Sequence, residues 1–171
     1  MSTLNVTNIK AADGTSALTI ANSTGIVTQA VPPSITTPIV FQGYSQTTYT
    51  ATGTWVASVE TIDSANAYNN STGIFTAPRA GFYHCSWHAL FRGASGASVR
   101  MNFHKNGSAY GTSNSLLYND ANSGDEENIK MTQIIECAAA DTINVEIMHL
   151  SAGDIYGNSN SHNGLSIFFI G

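Results

Sequence analysis

Few side chains in this 171-residue chain are of the kinds that do chemistry, and their spacing gives them little to work with. His84 and His88 lie four residues apart in a segment that reads as a strand, which puts them on one face about 13 Å apart at the usual rise. That is too far to share one metal ion. Three copies of the chain around an axis would bring one histidine from each together, but packing or hydrogen bonding is the expected role. Glu136 and Glu146 fall in predicted strands that could be neighbours, where exposed sheet positions are the expectation. The run Asp125-Glu-Glu127, inside 119–128, has the oxygen density that suits Ca²⁺ but lacks the spacing of a calcium loop, so a solvated loop is expected. Cys85 and Cys137 sit among apolar neighbours, as buried free thiols do, with a disulfide between them left open. No Gly-x-Ser-x-Gly elbow, phosphate loop, His-Glu-x-x-His or dinucleotide motif occurs. The chain is expected to have no catalytic residue, no cofactor and no metal, and not to be an enzyme.

The composition points toward β-structure. Charged residues make up only 10% of the sequence, against roughly 25% in an average soluble protein. Polarity comes instead from Ser, Thr, Asn and Gly, which compete with helical hydrogen bonds and favour turns. Low surface charge also leaves little repulsion between copies. The six basic residues, Lys10, Arg79, Arg92, Arg100, Lys105 and Lys130, are scattered and the net charge is −5. No row of cations exists to neutralise phosphates, so nucleic-acid binding is not expected. The N-terminus has no basic segment followed by an apolar one, and no 18-residue apolar run occurs, so neither an export signal nor membrane insertion is expected.

A boundary falls at Val31-Pro-Pro-Ser-Ile-Thr-Thr-Pro38, where three prolines favour an extended linker. Residues 1–37 then form an N-terminal arm, and 38–171 form the main domain. In the arm, Leu4, Val6 and Ile9 mark one short strand, and 17–20 with 26–28 mark a hairpin around 22–25. The arm is too small to bury a core of its own. Asn22-Ser-Thr-Gly-Ile-Val-Thr28 returns as Asn70-Ser-Thr-Gly-Ile-Phe-Thr76, a turn used twice in which Gly supplies the positive φ.

Beyond the boundary, strands are predicted at 39–44, 53–59, 82–92, 98–105, 128–137, 142–150 and 164–170. Residues 98–105 alternate cleanly, with Val99, Met101 and Phe103 on one face, and Asn106-Gly107 is a strong hairpin signal. Such spacing, without helical periodicity, argues for a sandwich. Residues 82–92 carry Tyr83, Cys85, Trp87, Ala89 and Phe91 on one face and Phe82, His84, Ser86, His88 and Leu90 on the other. Residues 164–170 repeat this, with Phe168 and Ile170 opposite Leu165, Ile167 and Phe169. A lone sandwich needs only its inner faces apolar, so the second face predicts contact between copies. Phe82, Tyr83, Trp87, Phe91, Phe168 and Phe169 are therefore expected in the core or an interface between copies.

The run from Ala67 to Tyr83, AYNNSTGIFTAPRAGFY, resembles the signature of the C1q/tumour-necrosis-factor jelly-roll superfamily. Val99-Arg-Met-Asn-Phe-His-Lys-Asn-Gly107 is similar to that family's strand ending in Lys-Asn-Gly. Ala140-Asp-Thr-Ile-Asn-Val-Glu-Ile147 is similar to its Gly-Asp-x-Val-x-Val strand, with Ala140 in place of the Gly, and 163–171 to its closing strand. This resemblance covers roughly 38–171 and implies an all-β, C1q-like ten-stranded jelly-roll sandwich. It also implies homotrimeric assembly, which would make the interface between copies a trimer interface, and a role in binding or structure. The arm, with Met1-Ser-Thr-Leu-Asn-Val-Thr-Asn-Ile, is similar to the start of short tail-fibre and appendage proteins of marine tailed phages. Together these imply an extended N-terminal arm on a trimeric head at the exterior of a virion.

The function so implied is a capsid-decorating (cement or head-fibre) protein that grips phage capsid or tail proteins through residues 1–37. The alternative is a short tail-fibre or receptor-binding tip that binds host surface glycan. Aromatic side chains at loop ends suit sugar binding, and Tyr44, Tyr49, Trp55, Tyr110, Tyr118 and Tyr156 are candidates. The segments 108–127 and 151–163, with Tyr110, Tyr118 and Tyr156, are the expected ligand-binding loops.

Overall fold

The structure is a computed structural model that describes residues 8–10, 16–20, 27–29, 38–119 and 125–171, with side chains described for 38–111 and 126–171. The chain divides into two compact units, Met1–Thr37 and Pro38–Gly171. In the first, β1 (Asn8–Lys10), β2 (Ser16–Ile20) and β3 (Val27–Gln29) form an antiparallel sheet with β2 in the middle. The expected hairpin is β2–β3, with Leu18 opposite Gln29 and Ile20 opposite Val27. Ile9 lies in β1, opposite Leu18. Leu4, Val6 and the turn at 22–25 lie outside the described residues.

The second unit contains ten strands and, among its described residues, no helix. They are β4 (Val40–Tyr44), β5 (Gly53–Trp55), β6 (Val59–Asp63), β7 (Tyr68–Asn69), β8 (Ile74–Thr76), β9 (Gly81–Lys105), β10 (Ser108–Asn119), β11 (Asp125–Cys137), β12 (Thr142–Ile155) and β13 (Asn163–Phe169). All pair antiparallel around β9, which is long enough to serve two sheets. One edge of β9 binds β11 and then β10; the other binds β13 and then β12. The front sheet therefore runs β6-β4-β13-β9-β11. The back sheet runs from β10 through the second half of β9 to β12, whose far edge carries β8 and β5, with β7 beyond β8.

Residues 82–92 and 98–105 were expected as separate strands. They are one, because Gly93, Gly96 (φ 78°) and their small neighbours bend the strand without breaking it, while Gly153–Ile155 of β12 stays paired with Gly93–Phe91. The reverse occurs at 53–59. There β5 joins the back sheet and β6 the front, so the chain crosses between sheets at 56–58. Tyrosine hydroxyls satisfy the crossing backbone: Tyr49 Oη accepts from Val56 N (2.8 Å) and Tyr68 Oη from Ala57 N (2.7 Å).

The core is the space between the sheets. Tyr83, Cys85, Trp87, Ala89 and Phe91 are fully buried there beside Phe41, Trp55, Phe75, Val99, Met101, Phe103 and Ile167. The Trp55 and Trp87 rings meet edge to face at 6.1 Å. Cys85 and Cys137 are free, buried thiols, and burial pushes both up from the usual thiol pKa.

Turn geometry and core packing fix the run from Ala67 to Tyr83. Asn69 builds an Asx turn, its side-chain oxygen accepting from Ser71 N and Thr72 N and its carbonyl from Gly73 N. Gly73 has φ 75°, and a Cβ there would stand 2.6 Å from the Trp55 carbonyl oxygen. Phe75 is in the core and Tyr68 stacks on Phe41 at 4.1 Å. Gly81 (φ 140°) lets the chain pass against Gly171, and Tyr83 Oη donates to the Arg79 carbonyl at 2.7 Å. The expected hairpin at Asn106-Gly107 is present, with φ values of 50° and 76° and Lys105 opposite Ser108. Two consecutive positive φ angles make it the mirror-image turn that matches strand twist.

Candidate functional site

With Tyr83, Trp87 and Phe91 inside, the alternate residues of β9 point to the outer face of the front sheet. Registers place its side chains in rows across the strands. Phe82 stands opposite Glu136 of β11, and its carbonyl accepts from Ile170 N at 2.9 Å. The next row is Val40, Phe168, His84 and Ile134. Then come Gln42, Ser166, Ser86 and Thr132, with Thr132 Oγ1 donating to Ser86 Oγ at 3.3 Å. Gly164, His88 and Lys130 follow. The face thus grades from apolar at the Phe82 end to polar at the His88 end.

The apolar end is open. Phe82 is 47% exposed, Ile134 54% and Ile170 55%. Phe168 is half-buried beside His84, their rings 6.4 Å apart. Large apolar side chains clustered on one sheet face mark a contact surface, where single scattered ones would not. Phe169 turns the other way, against Tyr83 at 5.2 Å and beneath the Arg79 guanidinium at 3.7 Å. So Phe82 and Phe168 lie on the outer face, while Tyr83, Trp87 and Phe91 belong to the core and Phe169 packs against it.

The polar end holds a cleft of about 200 Å³ over β4, β13 and β9, lined by Gln42, Tyr44, Thr61, His88, Asn160 and Ser166 among others. Burial lowers the His88 pKa below the usual imidazole value, partly offset by a hydrogen bond to the Asn160 backbone. His84 and His88 share the face, as their spacing requires, but nothing brings them to one point.

The expected ligand-binding tyrosines are not brought together. Tyr110 and Tyr118 lie in strand β10, not in a loop, because the Asn106-Gly107 turn lays 108–119 back along β9. Tyr110 packs under Lys105 Nζ (5.9 Å from its ring) and accepts a hydrogen bond from Glu136 N at 3.4 Å. The Tyr118 backbone pairs with Ser98, and its side chain lies outside the described residues. Only Tyr156 is in a loop, since 151–155 extend β12 and 125–127 begin β11. Its ring is already covered. Arg92 lies over it at 3.8 Å while holding Asp154 through two 2.9 Å bonds, and His162 tilts against it at 5.0 Å. These contacts latch the loop to β9 and leave little of an open sugar platform. Tyr49 and Trp55 are likewise committed, to the chain crossing and the core.

Glu136 and Glu146 do not face each other, since β11 and β12 occupy opposite edges of β9. Glu146 instead accepts from Thr54 Oγ1 (2.8 Å) and Asn144 Nδ2 (3.1 Å). Asp125-Glu-Glu127 opens β11 rather than forming a loop; the Asp125 side chain and residues 120–124 lie outside the described residues. Among the described residues no group of three His, Cys, Asp or Glu side chains could hold a metal ion.

A buried asparagine organises the loops near the cleft. Asn163 is fully buried, accepts from Ser45 N at 2.6 Å, and donates to the carbonyls of Ser45 and Tyr156 at 3.0 Å each. An Asn between His162 and Gly164 carries no distinguishing signal in sequence, because the Ser45 backbone it holds lies 118 positions away.

No family model matches the chain, and no curated protein matches it. Solved structures do. The globular domain of zebrafish complement 1qA protein is similar at TM-score 0.54 and 15% identity, over 77% of this chain and 97% of that one. Murine APRIL is similar at pH 5.0 (TM-score 0.61, 11% identity, 78% and 99% coverage) and at pH 8.5 (0.58, 10%, 77% and 98%). At these identities the likeness establishes the fold: a jelly roll of the kind found in C1q and tumour-necrosis-factor-type domains.

Proposed function

We propose that this chain, built on a C1q-like jelly roll, is a phage virion structural protein: a homotrimeric, capsid-decorating head anchored by its N-terminal unit. The observation that carries the proposal is the open apolar end of the front sheet, where Phe82, Ile134 and Ile170 each leave about half their surface in water. Pairing copies through this surface removes it from solvent, and the low overall charge opposes the approach only weakly.

In this reading residues 1–37 dock onto shell proteins, and the trimer stabilises the shell by binding its assembled form. Light scattering of the purified chain should give about three times 18.0 kDa; a clean monomer at all concentrations would remove the assembly argument. Labelled antibody imaged on virions tests location, and absence of label from the shell would refute the capsid reading. A second reading, a short tail-fibre or receptor-binding tip that grips host glycan with three weak sites acting together, is favoured by the polar cleft beside His88.

A further inference from the structure

The cleft at the polar end of the front sheet lies clear of the apolar surface. Phe82 and His88 are six residues apart on β9, about 20 Å at the usual strand rise. The cleft is built, not incidental. Gly164 gives the imidazole its room, since a Cβ there would stand 2.7 Å from His88 Cε1. Burial lowers the imidazole pKa and so favours its uncharged form, with the Asn160 backbone beside the ring. A neutral imidazole that donates from one nitrogen keeps the other as an acceptor.

The remaining polar groups are partly spent and partly available. Gln42 Nε2 donates to Ser166 Oγ at 3.4 Å, which leaves the Gln42 carbonyl oxygen as an acceptor and the Ser166 hydroxyl as a donor. Thr61 Oγ1 donates to the Gln42 backbone carbonyl at 3.0 Å and retains its lone pairs. The lining thus mixes donors and acceptors and carries no formal charge, while the Tyr44 ring adds carbon surface. A ligand that matches must itself present groups that both donate and accept, on a compact, uncharged frame. Hydroxyl groups on a sugar ring do this. The volume of about 200 Å³ falls below the roughly 300–1,000 Å³ of drug-sized sites, which suits one ring.

We propose that this cleft binds a single uncharged sugar unit through its hydroxyls, gripped by Gln42, His88 and Ser166. The proposal rests on the glycan-gripping reading and names the site for it. The test is an amide-resolved NMR titration of the full chain with the methyl glycosides of glucose, galactose, mannose and N-acetylglucosamine, to about 50 mM, which covers sites of about 1–10 mM affinity. At least one glycoside should give saturable shifts grouped at 42–44, 88 and 164–166. Gln42→Ala and Ser166→Ala should each weaken it about five- to tenfold, and Gly164→Ala, which drives the imidazole into the cleft, should abolish it, with amide spectra elsewhere unchanged. No saturable shifts in that group, or affinities untouched by both alanine variants, would overturn the assignment. A glycan array separates the layers. Array binding that survives Ser166→Ala keeps glycan recognition and rejects the cleft as its site. A silent array rejects recognition of the displayed glycans, and the titration then decides the cleft by itself.

Discussion

The apolar end of the front sheet can be tested by removing it. Ile134 is 54% exposed and Phe82 47%, and complete burial of such a side chain stabilises by about 1.5–3 kcal/mol. Covering the exposed half of each therefore contributes about 1 kcal/mol, so the double variant Phe82→Ser/Ile134→Ser loses about 2 kcal/mol per copy. Three copies lose roughly 6 kcal/mol, and at 1.4 kcal/mol per tenfold the trimer constant falls by about four orders of magnitude. Because two association steps share that loss, the concentration at which half the chain is trimeric rises by about a hundredfold. Both side chains point outward and neither touches the core, so the folded domain itself should persist. Sedimentation equilibrium across a wide dilution series reads the midpoint directly, with a near-ultraviolet spectrum to confirm the packed Trp55–Trp87 core. An unchanged midpoint with a folded core would refute the assignment of this surface to contact between copies.

Other perturbations address the frame around it. Asn163→Ala strands Ser45 N–H and two carbonyls in a buried place, at about 1–3 kcal/mol for each unsatisfied group; urea denaturation should show a midpoint loss of at least the cost of one. Gly73→Ala forces a side chain into a left-handed backbone 2.6 Å from the Trp55 carbonyl, and should lower stability by about 1–3 kcal/mol, whereas Gly107→Ala meets no neighbour within 4 Å and should cost less. Asp141 accepts from Asn106 Nδ2, Lys105 Nζ and Ala138 N, which hold its pKa at about 2. Its folded pKa lies below its unfolded one, near 3.9, so its contribution is intact above pH 4 and fades toward pH 2. The melting temperature should fall across that window, and Asp141→Asn should flatten the fall. Deleting residues 1–37 should leave the melting transition of 38–171 in place and, on the proposed capsid-decorating role, abolish incorporation into virions.

The parts of the fold legible in sequence are those set by local rules. Asn106-Gly107 specified its turn because few residues tolerate two positive φ angles in succession. The alternation of 98–105 specified its buried face because a strand's side chains alternate with period two. What escaped depends on distant partners. Nothing local in Gly93-Ala-Ser-Gly96 tells whether a strand ends or bends; β12, some sixty residues later, decides by remaining paired across it. The run 53–59 is split because its two ends are claimed by different sheets. Residues 108–119 read as a loop because polar side chains hide a strand held by β9. The cleft was illegible for the same reason. His88 stands out in sequence only through its spacing from His84, whereas Gln42 reaches it through the register of β4 against β13, and Gln42 and Ser166 are 124 positions apart.

That separation bears on how the domain is made. β13 sits between β4 and β9 and completes the hydrogen bonding of both. During synthesis β4 can pair with β6 as soon as 59–63 has emerged, but its other edge waits for β13 until the end of the domain. A chain stalled anywhere before 163 would therefore carry two open strand edges, one on β4 and one on β9, which are prone to stick to their neighbours. Closure of this domain thus falls on β13: truncations that remove 163–169 should yield aggregates or degradation products.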